Sequence, residues 1–415
     1  MEEQIIEELS SNCEHCVTKP CQMGCPLNND ITDFIEYAKE KEYEQAYLTL
    51  SKTTVLPSIC SRVCNREEQC EKSCVKRISF SPVQIGSLEQ IIGDMGLNYS
   101  WNIKSQPKTK YKVAVIGSGP ASLTCASFLR RYGVQVKIFE KKSTLGGLLT
   151  HGIPEFRLPY EITQKTIESI LNQGIEVRYN KELGRNLQIS DLLEHYQYIF
   201  IGIGANIPKK IELKGIQKTG VYYANEFLEN KPQFKFQEKT IAIYGGGNTA
   251  IDVARMAKKE GASKVYLIYR KEESFLSAFQ SEILRAKEEK IEFLLQTCIE
   301  EIKGEKKVES IIVKRTILQE NELILIENSD MELQCDAVFL ALGSQASEEV
   351  KKLGLEQTED GKIKTNLLGE TSNPKVYAGG DITKTKNSVA HASRSGRNAA
   401  YEILKKLKLF PRKYE

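Results

Sequence analysis

Eight of the eleven cysteines of this chain fall between Cys13 and Cys74, in the runs Cys13-x2-Cys16-x4-Cys21-x3-Cys25 and Cys60-x3-Cys64-x5-Cys70-x3-Cys74. Thiolates at these spacings converge on a soft metal centre without long loops, and Pro26 follows Cys25 as proline follows the last cysteine of ferredoxin-type cluster loops. Two four-iron clusters are therefore expected, with structural zinc and disulfides as the alternatives. Disulfides fit poorly. The chain opens on Met1-Glu-Glu-Gln-Ile-Ile-Glu-Glu, acidic and without the basic and apolar regions of an export signal, and a reducing cytosol keeps thiols free. Zinc is redox-inert, so it has no part in the chemistry that the next motifs imply.

Those motifs are two glycine turns, Gly117-Ser-Gly-Pro-Ala-Ser122 and Gly245-Gly-Gly-Asn-Thr-Ala250. A pyrophosphate sits against a helix N-terminus only where the backbone comes close, so glycine stands where a side chain would block it. In the first turn Gly117 and Gly119, with Pro120 and Ala121, are so placed. Glu140, at the end of the following strand, is positioned to accept hydrogen bonds from both ribose hydroxyls of an adenosine. Ser122 replaces the third glycine, which loosens helix packing slightly. In the second turn Gly245, Gly247, Asn248 and Thr249 line the approach, and Ala250 is an accepted third residue. The strand after it ends in Arg270-Lys271; a guanidinium pairs with a 2′-phosphate that a carboxylate would repel, which favours NADPH. Glu272 and Glu273 follow at once and keep NADH open, as does Arg270 being a solvated surface charge.

The elements that must hold these residues follow from pattern. Between the cysteine groups, Ile31, Phe34, Ile35 and Ala38 recur at helical spacing, with Asp30 placed to cap the start. Residues 1–105 thus read as a small α-helical cluster domain, with polar Trp101 to Lys110 as linker. From Tyr111 the chain becomes α/β. Lys112–Ile116 is a buried strand, Leu123–Tyr132 a helix and Val134–Phe139 a second strand; Thr240–Tyr244, a helix to about Glu260 and Lys264–Tyr269 repeat the plan. Each unit closes on an apolar strand ending in glycine, Gly202 and Gly204 in one and Gly343 in the other. At 415 residues there is room for about three domains of ~150 residues. A net charge of +3, with 40% hydrophobic and 27% charged residues, gives no basis for a nucleic-acid or membrane partner, and no apolar run reaches the length of a span. A cytoplasmic protein is expected.

With both cysteine groups and both turns in this order, the chain resembles the flavin and iron-sulfur module of glutamate synthase small subunits and of the N-terminal half of dihydropyrimidine dehydrogenases. The likeness runs from about Cys13 to the C-terminus and includes Leu145-Gly-Gly-Leu-Leu-Thr-His-Gly-Ile-Pro-Glu-Phe-Arg-Leu-Pro159 and Val376-Tyr-Ala-Gly-Gly-Asp381. In length and in the tail Lys386 to Gly396 it is most similar to the free-standing flavin subunits of bacterial NAD-dependent dihydropyrimidine dehydrogenases.

The resemblance implies an α/β chain with a helical iron-sulfur domain and two Rossmann-type domains. FAD would be held in 106–205 and 346–415, with the NAD(P)H-binding domain, 206–345, inserted. Gly147, Leu148, Arg157, Gly204, Gly380, Asp381 and Val389 would join the first turn around FAD, with Asp381 on the ribityl chain and a helix N-terminus from about Ala390 facing the ring. One cluster would use Cys13, Cys16, Cys21 and Cys74, and the other Cys25, Cys64 and Cys70 with Glu89 as fourth ligand. Cys60 as the fourth ligand stays open, since thiolate is the usual one. The implied function is an NAD(P)H-oxidising electron-input subunit: hydride passes to the flavin, then single electrons pass through two [4Fe-4S] clusters to a catalytic partner in a hetero-oligomer. That partner is an FMN-containing dehydrogenase or synthase; a ferredoxin-linked or bifurcating partner and a redox sensor without turnover are the alternatives. A disulfide reductase would need a paired redox cysteine, and Cys125, Cys298 and Cys335 are widely separated. His151, in the flavin segment, is expected either to approach the ring or merely to pack or hydrogen-bond there, and Arg157 to hold a phosphate or a domain contact. Relatives carry a Met-Pro-Ala stretch where this chain reads Ser274-Phe-Leu-Ser-Ala-Phe279.

Overall fold

A computed structural model describes residues 2–78, 80–230, 234–320 and 322–409. Residues 410–415, the end of the expected FAD domain, and Met1 lie outside them. The chain forms two compact units: residues 1–150, 155–205 and 346–415 make the first, and residues 151–154 and 206–345 the second.

The first unit opens with six helices, α1 (Glu2–Ser11), α2 (Pro20–Gly24), α3 (Ile31–Lys39), α4 (Tyr43–Ser51), α5 (Pro57–Val63) and α6 (Ile85–Asn98). Ile31, Phe34, Ile35 and Ala38 point inward from α3 and meet Leu50 of α4 and Leu88 and Ile92 of α6 in one core. Asp30 occupies the N-cap position of α3, but its carboxylate makes no cap hydrogen bond. It takes the Lys19 ammonium at 2.7 Å instead, shared with Asp33, because an ion pair with two carboxylates outcompetes a single backbone N–H. The expected linker has no regular structure, yet its first residue does not drift. Trp101 stacks on Tyr99 at 5.3 Å and packs against the helical core.

The α/β part of this unit follows: β1 (Lys112–Ile116), α7 (Pro120–Arg131), β2 (Gln135–Phe139), α8 (Leu148–His151), α9 (Tyr160–Leu171), β3 (Glu176–Arg178), α10 (Ile189–His195) and β4 (Tyr198–Ile201). The second unit holds β5 (Ile207–Pro208), β6 (Val221–Tyr223), α11 (Ala224–Asn230), β7 (Thr240–Tyr244), α12 (Asn248–Lys259), β8 (Lys264–Tyr269), α13 (Gln280–Glu288), β9 (Glu292–Leu295), β10 (Thr297–Lys303), β11 (Ser310–Gln319), β12 (Glu322–Leu325), β13 (Met331–Gln334), β14 (Ala337–Leu340) and β15 (Ser344–Gln345). The chain then returns to the first unit with β16 (Val376–Ala378) and α14 (Val389–Lys406).

In the first unit the strands form a parallel sheet in the order β16-β4-β1-β2-β3, and in the second β6-β14-β7-β8-β9. In both, the strand before the glycine turn is central, so the turn emerges at the carboxyl edge where the order reverses, the place at which such sheets bind ligands. Apolar residues on β1 (Val113 to Ile116) and β7 (Ile241 to Tyr244) are buried on both faces, as parallel strands covered by helices must be. The second unit also contains an antiparallel sheet of β10 to β13, in which β11 pairs with the other three. Nothing in the glycine-turn pattern foretold it.

The helical and α/β parts of the first unit are tied by two buried arginines. Arg131 of α7 donates to the Ser51 carbonyl at 2.6 Å, and burial pulls its guanidinium down to about 10. Arg397 of α14 donates to the carbonyls of Leu27 at 2.8 Å and Thr53 at 2.6 Å.

Candidate functional site: two dinucleotide turns and a cysteine-rich centre

The first turn is shaped by the protein at one glycine and left open at another. Gly117 has φ +91°, and a Cβ there would stand 2.5 Å from the Gly202 carbonyl oxygen, so only glycine lets β1 and β4 pass. Gly119 has φ −71°, a conformation any residue adopts, and a Cβ there would meet no protein atom within 4 Å. The absent side chain at Gly119 therefore leaves room at the N-terminus of α7, as a pyrophosphate requires. Gly147 borders that room: its Cβ would lie 3.2 Å from the Gly119 Cα. Ser122, which replaces the third glycine, is not a loosening. Its hydroxyl donates to the Gly202 carbonyl at 3.3 Å and ties α7 to the end of β4.

Glu140 ends β2 in a defined cradle. The Ser118 hydroxyl donates to Oε2 at 2.5 Å, the Lys142 N–H donates to Oε1 at 2.9 Å, and the Gly146 N–H donates in turn to Ser118 Oγ at 3.1 Å. The carboxylate is thus fixed in place with lone pairs to spare for two hydroxyls. Gly380 packs its Cα side against Ala121, and the Gly380 N–H donates to Ser395 Oγ of α14 at 2.8 Å. Asp381 follows. It is largely buried, which pushes its carboxyl up, with Lys362 pulling the other way. Among the described residues its carboxylate makes no hydrogen bond, so a donor-bearing chain such as a ribityl fits there. Val389 opens α14, capped by Ser388, whose Oγ accepts from the His391 N–H. Gly204 has φ +72° just beyond β4; Leu148 is exposed and Arg157 half-buried.

In the second unit Gly245 repeats Gly117: its Cβ would stand 2.3 Å from the Ala341 carbonyl oxygen. Gly247, Asn248 and Thr249 are partly exposed at the start of α12. The segment that replaces Met-Pro-Ala folds onto this turn. Ser277 and Ala278 N–H groups donate to the Gly246 carbonyl at 3.0 and 3.2 Å, and the Phe279 N–H donates to Asn248 Oδ1 at 3.0 Å. Arg270 is exposed at the end of β8, and its guanidinium has no ion pair among the described residues. Glu273 is taken by Lys287 at 2.6 Å, and Lys271 lies over the Phe275 ring at 5.0 Å. A free guanidinium at this edge suits a 2′-phosphate.

None of the eleven cysteines is in a disulfide. Those of the helical part fall into two groups by mutual electrostatic influence. Cys13 senses Cys16 and Cys74, and Cys21 senses Cys13 and Cys74. Cys25 senses Glu89 and Cys64, and Cys70 senses Cys25, Glu89 and Cys64. Burial raises these thiols, Cys21 to about 11 and Cys25 to about 12, which is a cost that a metal bound as thiolate ligand removes. Glu89, on α6, is only 7% exposed, and burial pushes its carboxyl up to about 8 despite Arg66. Its recorded donor is Asn29 Nδ2 at 3.4 Å. A carboxyl so poorly solvated among three cysteines is what a cationic centre would stabilise. Cys60 is buried beside Cys64, with a hydrogen bond between the two sulfurs. Among the described residues no three His, Cys, Asp or Glu side chains close around a single metal ion. One zinc would draw its sulfurs to about 2.3 Å from the metal; a four-iron cluster is larger and spaces its ligands more widely.

Cys125, Cys298 and Cys335 are buried, and burial raises each thiol, Cys335 to about 12, so none is an activated nucleophile. Among the described residues no helix is long and apolar enough to cross a membrane.

Residues 1–101 match the model of dihydropyrimidine dehydrogenase domain II, 4Fe-4S cluster. The glutamate synthase [NADPH] small chain of Escherichia coli K12 is 32% identical over 95% of this chain and 90% of its own length. The NAD-dependent dihydropyrimidine dehydrogenase subunit PreT of Escherichia coli O157:H7 is 28% identical over 95% and 92%. Among solved structures, thioredoxin reductase of Lactococcus lactis superposes with a TM-score of 0.57 at 26% identity, covering 72% of this chain and all of that one. Residues 111–397 match the pyridine nucleotide-disulphide oxidoreductase model, and with the near full-length similarity to glutamate synthase small chains the protein belongs to that family, as an NAD(P)H-dependent FAD and iron-sulfur oxidoreductase.

Proposed function

We propose that this chain is the electron-input subunit of a larger enzyme: it oxidises NADPH in preference to NADH and delivers electrons singly to a catalytic partner of the FMN-containing dehydrogenase or synthase type. The observation that carries this is the packing of both cysteine groups in the same folded unit as the open Gly119 turn, with Glu89 buried inside the second group. Residues 1–105 form the cluster domain, 106–205 and 346–415 the FAD domain and 206–345 the NAD(P)H domain. Cys13, Cys16, Cys21 and Cys74 hold one [4Fe-4S] cluster, and Cys25, Cys64, Cys70 and Glu89 the other.

When bound, FAD supplies the conversion of a two-electron donor into single electrons, and the clusters supply the one-electron relay. The chain supplies the rest. Glu140, gripped by Ser118, holds the adenosine ribose. The α7 N-terminus receives the pyrophosphate over Gly119, and Asp381 accepts from the ribityl chain. Arg270 pairs with the 2′-phosphate of the nucleotide.

An anaerobic titration with NADPH, and separately NADH, followed by visible absorption and paramagnetic resonance, tests this. The expected result is flavin bleaching with a reduced-cluster signal, at lower concentration for NADPH. Bleaching by neither nucleotide, with iron and flavin present, overturns it. Nucleotide oxidation on adding a glutamate synthase large subunit, or a dihydropyrimidine dehydrogenase catalytic subunit, identifies the partner.

A further inference from the structure

Three consecutive residues of α14 touch both redox sites of the first unit. Ser395 Oγ receives the Gly380 N–H beside Asp381. Gly396 lies against the first turn of α7, where a Cβ would stand 2.0 Å from the Ala121 carbonyl oxygen. Arg397 turns the other way and brackets the carbonyls of Leu27 and Thr53. Leu27 lies two residues after Cys25, in a loop whose backbone hydrogen-bonds the Cys25 sulfur at Leu27 and Asn29. Thr53 Oγ1 donates to Asn29 Oδ1 at 2.6 Å, and Asn29 Nδ2 reaches Glu89. The guanidinium is therefore wired through two short links to both ends of the second cysteine group.

Its charge is as notable as its hydrogen bonds. Arg397 is 8% exposed, and both of its recorded acceptors are neutral carbonyls. Among the described residues no carboxylate forms an ion pair with it. Burial is the main influence on it and pulls its proton affinity down; Cys25 is among the nearby groups that pull it up. A buried cation without a counter-ion is costly to keep. Packing alone would be served by a neutral side chain.

We infer that Arg397 is a positioning and tuning residue for the cluster held by Cys25, Cys64, Cys70 and Glu89: it fixes the Cys25 loop against the flavin-side helix, and its uncompensated charge favours the cluster's reduced state. The inference rests on the ligand assignment proposed above. Each electron added makes a cluster more negative, and net charge and hydrogen bonding at the sulfurs set its potential. A fixed positive charge in a poorly solvated place acts strongly.

The test is a redox titration of the loaded protein, with each cluster followed by its paramagnetic signal. Arg397→Gln keeps a donor for the carbonyls and removes the charge. It is expected to lower the midpoint of one cluster alone, by a tenfold change in its equilibrium with the flavin, about 59 mV for one electron. Flavin bleaching by NADPH stays at the wild-type rate. Arg397→Lys keeps the charge and is expected to hold the wild-type midpoint, with its ammonium in place of Nη1, the one nitrogen that serves both carbonyls. Equal midpoints in wild type and Gln variant overturn the inference. If the Gln variant comes without its iron, the Lys variant decides: a midpoint displaced tenfold or more overturns the role of charge, and an unmoved one supports it. Fewer than two cluster signals in the wild-type protein would instead sink the ligand assignment.

Discussion

The two glycine turns share a scaffold and differ at one end. Gly117 and Gly245 are each forced by a carbonyl from the neighbouring strand, Gly202 in one and Ala341 in the other. The residue that closes each second strand is treated in opposite ways. Glu140 is buried, held by Ser118 and by the Lys142 N–H, and Ser118 is itself held by Gly146. Arg270 is exposed, and among the described residues no ion pair grips it. A pre-organised carboxylate loses little freedom on binding, which suits a cofactor that stays; a mobile guanidinium pays that cost at each encounter, which suits a nucleotide that must leave. On the function proposed above, the same fold would serve as a socket in one unit and a docking edge in the other.

The comparison breaks most completely at Gly117. Gly117→Ala combines a strained φ with a clash of backbone against backbone, on the order of several kcal/mol, so loss of folded, flavin-bearing protein is expected by circular dichroism and flavin content. Gly119→Val separates scaffold from socket. With no protein atom within 4 Å of its Cβ, the variant should melt within about 1 kcal/mol of the flavin-free wild type, the cost of a poorer helix N-cap, yet retain FAD at least a hundredfold less tightly in a dialysis assay; tight retention would mean that the pyrophosphate lies elsewhere. On the docking edge, Arg270→Ala removes a charge-assisted contact of ~1.5–3 kcal/mol. That lowers kcat/KM for NADPH roughly ten- to a hundredfold and leaves NADH unchanged; an equal loss for both nucleotides would assign Arg270 to the shared part of the molecule. The smallest effect is expected from Ser118→Ala, which frees Glu140 from one neutral donor. FAD release should quicken by a few-fold, about 1 kcal/mol, measured by the return of flavin fluorescence on dilution.

Much of this arrangement was legible in the sequence because it is local. Lys112–Ile116, Thr240–Tyr244 and Lys264–Tyr269 were readable to the residue, since a short, mostly apolar run bounded by a glycine turn or by charged residues has few ways to fold. Where a competing partner lies outside the local pattern, the reading failed. Asp30 was expected to cap α3 and pairs with Lys19; Ser122 was expected to loosen α7 and ties it to Gly202. Trp101 sat in a polar stretch and packs into the helical core. The sheet of β10 to β13 alternates exposed and buried positions too irregularly to announce itself. For Glu89 the sequence offered a family likeness but not its burial, which arises only when α6 closes over Cys25, Cys64 and Cys70. Arg397 gave no signal at all, because an arginine in a helix is ordinarily solvated.

The fifth strand of the first sheet, β16, and the helix α14 are made after the whole inserted unit, although β16 pairs with β4 and α14 packs on α7. During synthesis at ~5–20 residues per second, the growing chain therefore spends on the order of ten to thirty seconds with its first sheet one strand short. Throughout that interval the socket lacks Asp381, and the Cys25 loop lacks Arg397. Pairing of β16 with β4 therefore brings Asp381 to the proposed flavin site and Arg397 to the Cys25 loop in a single stroke.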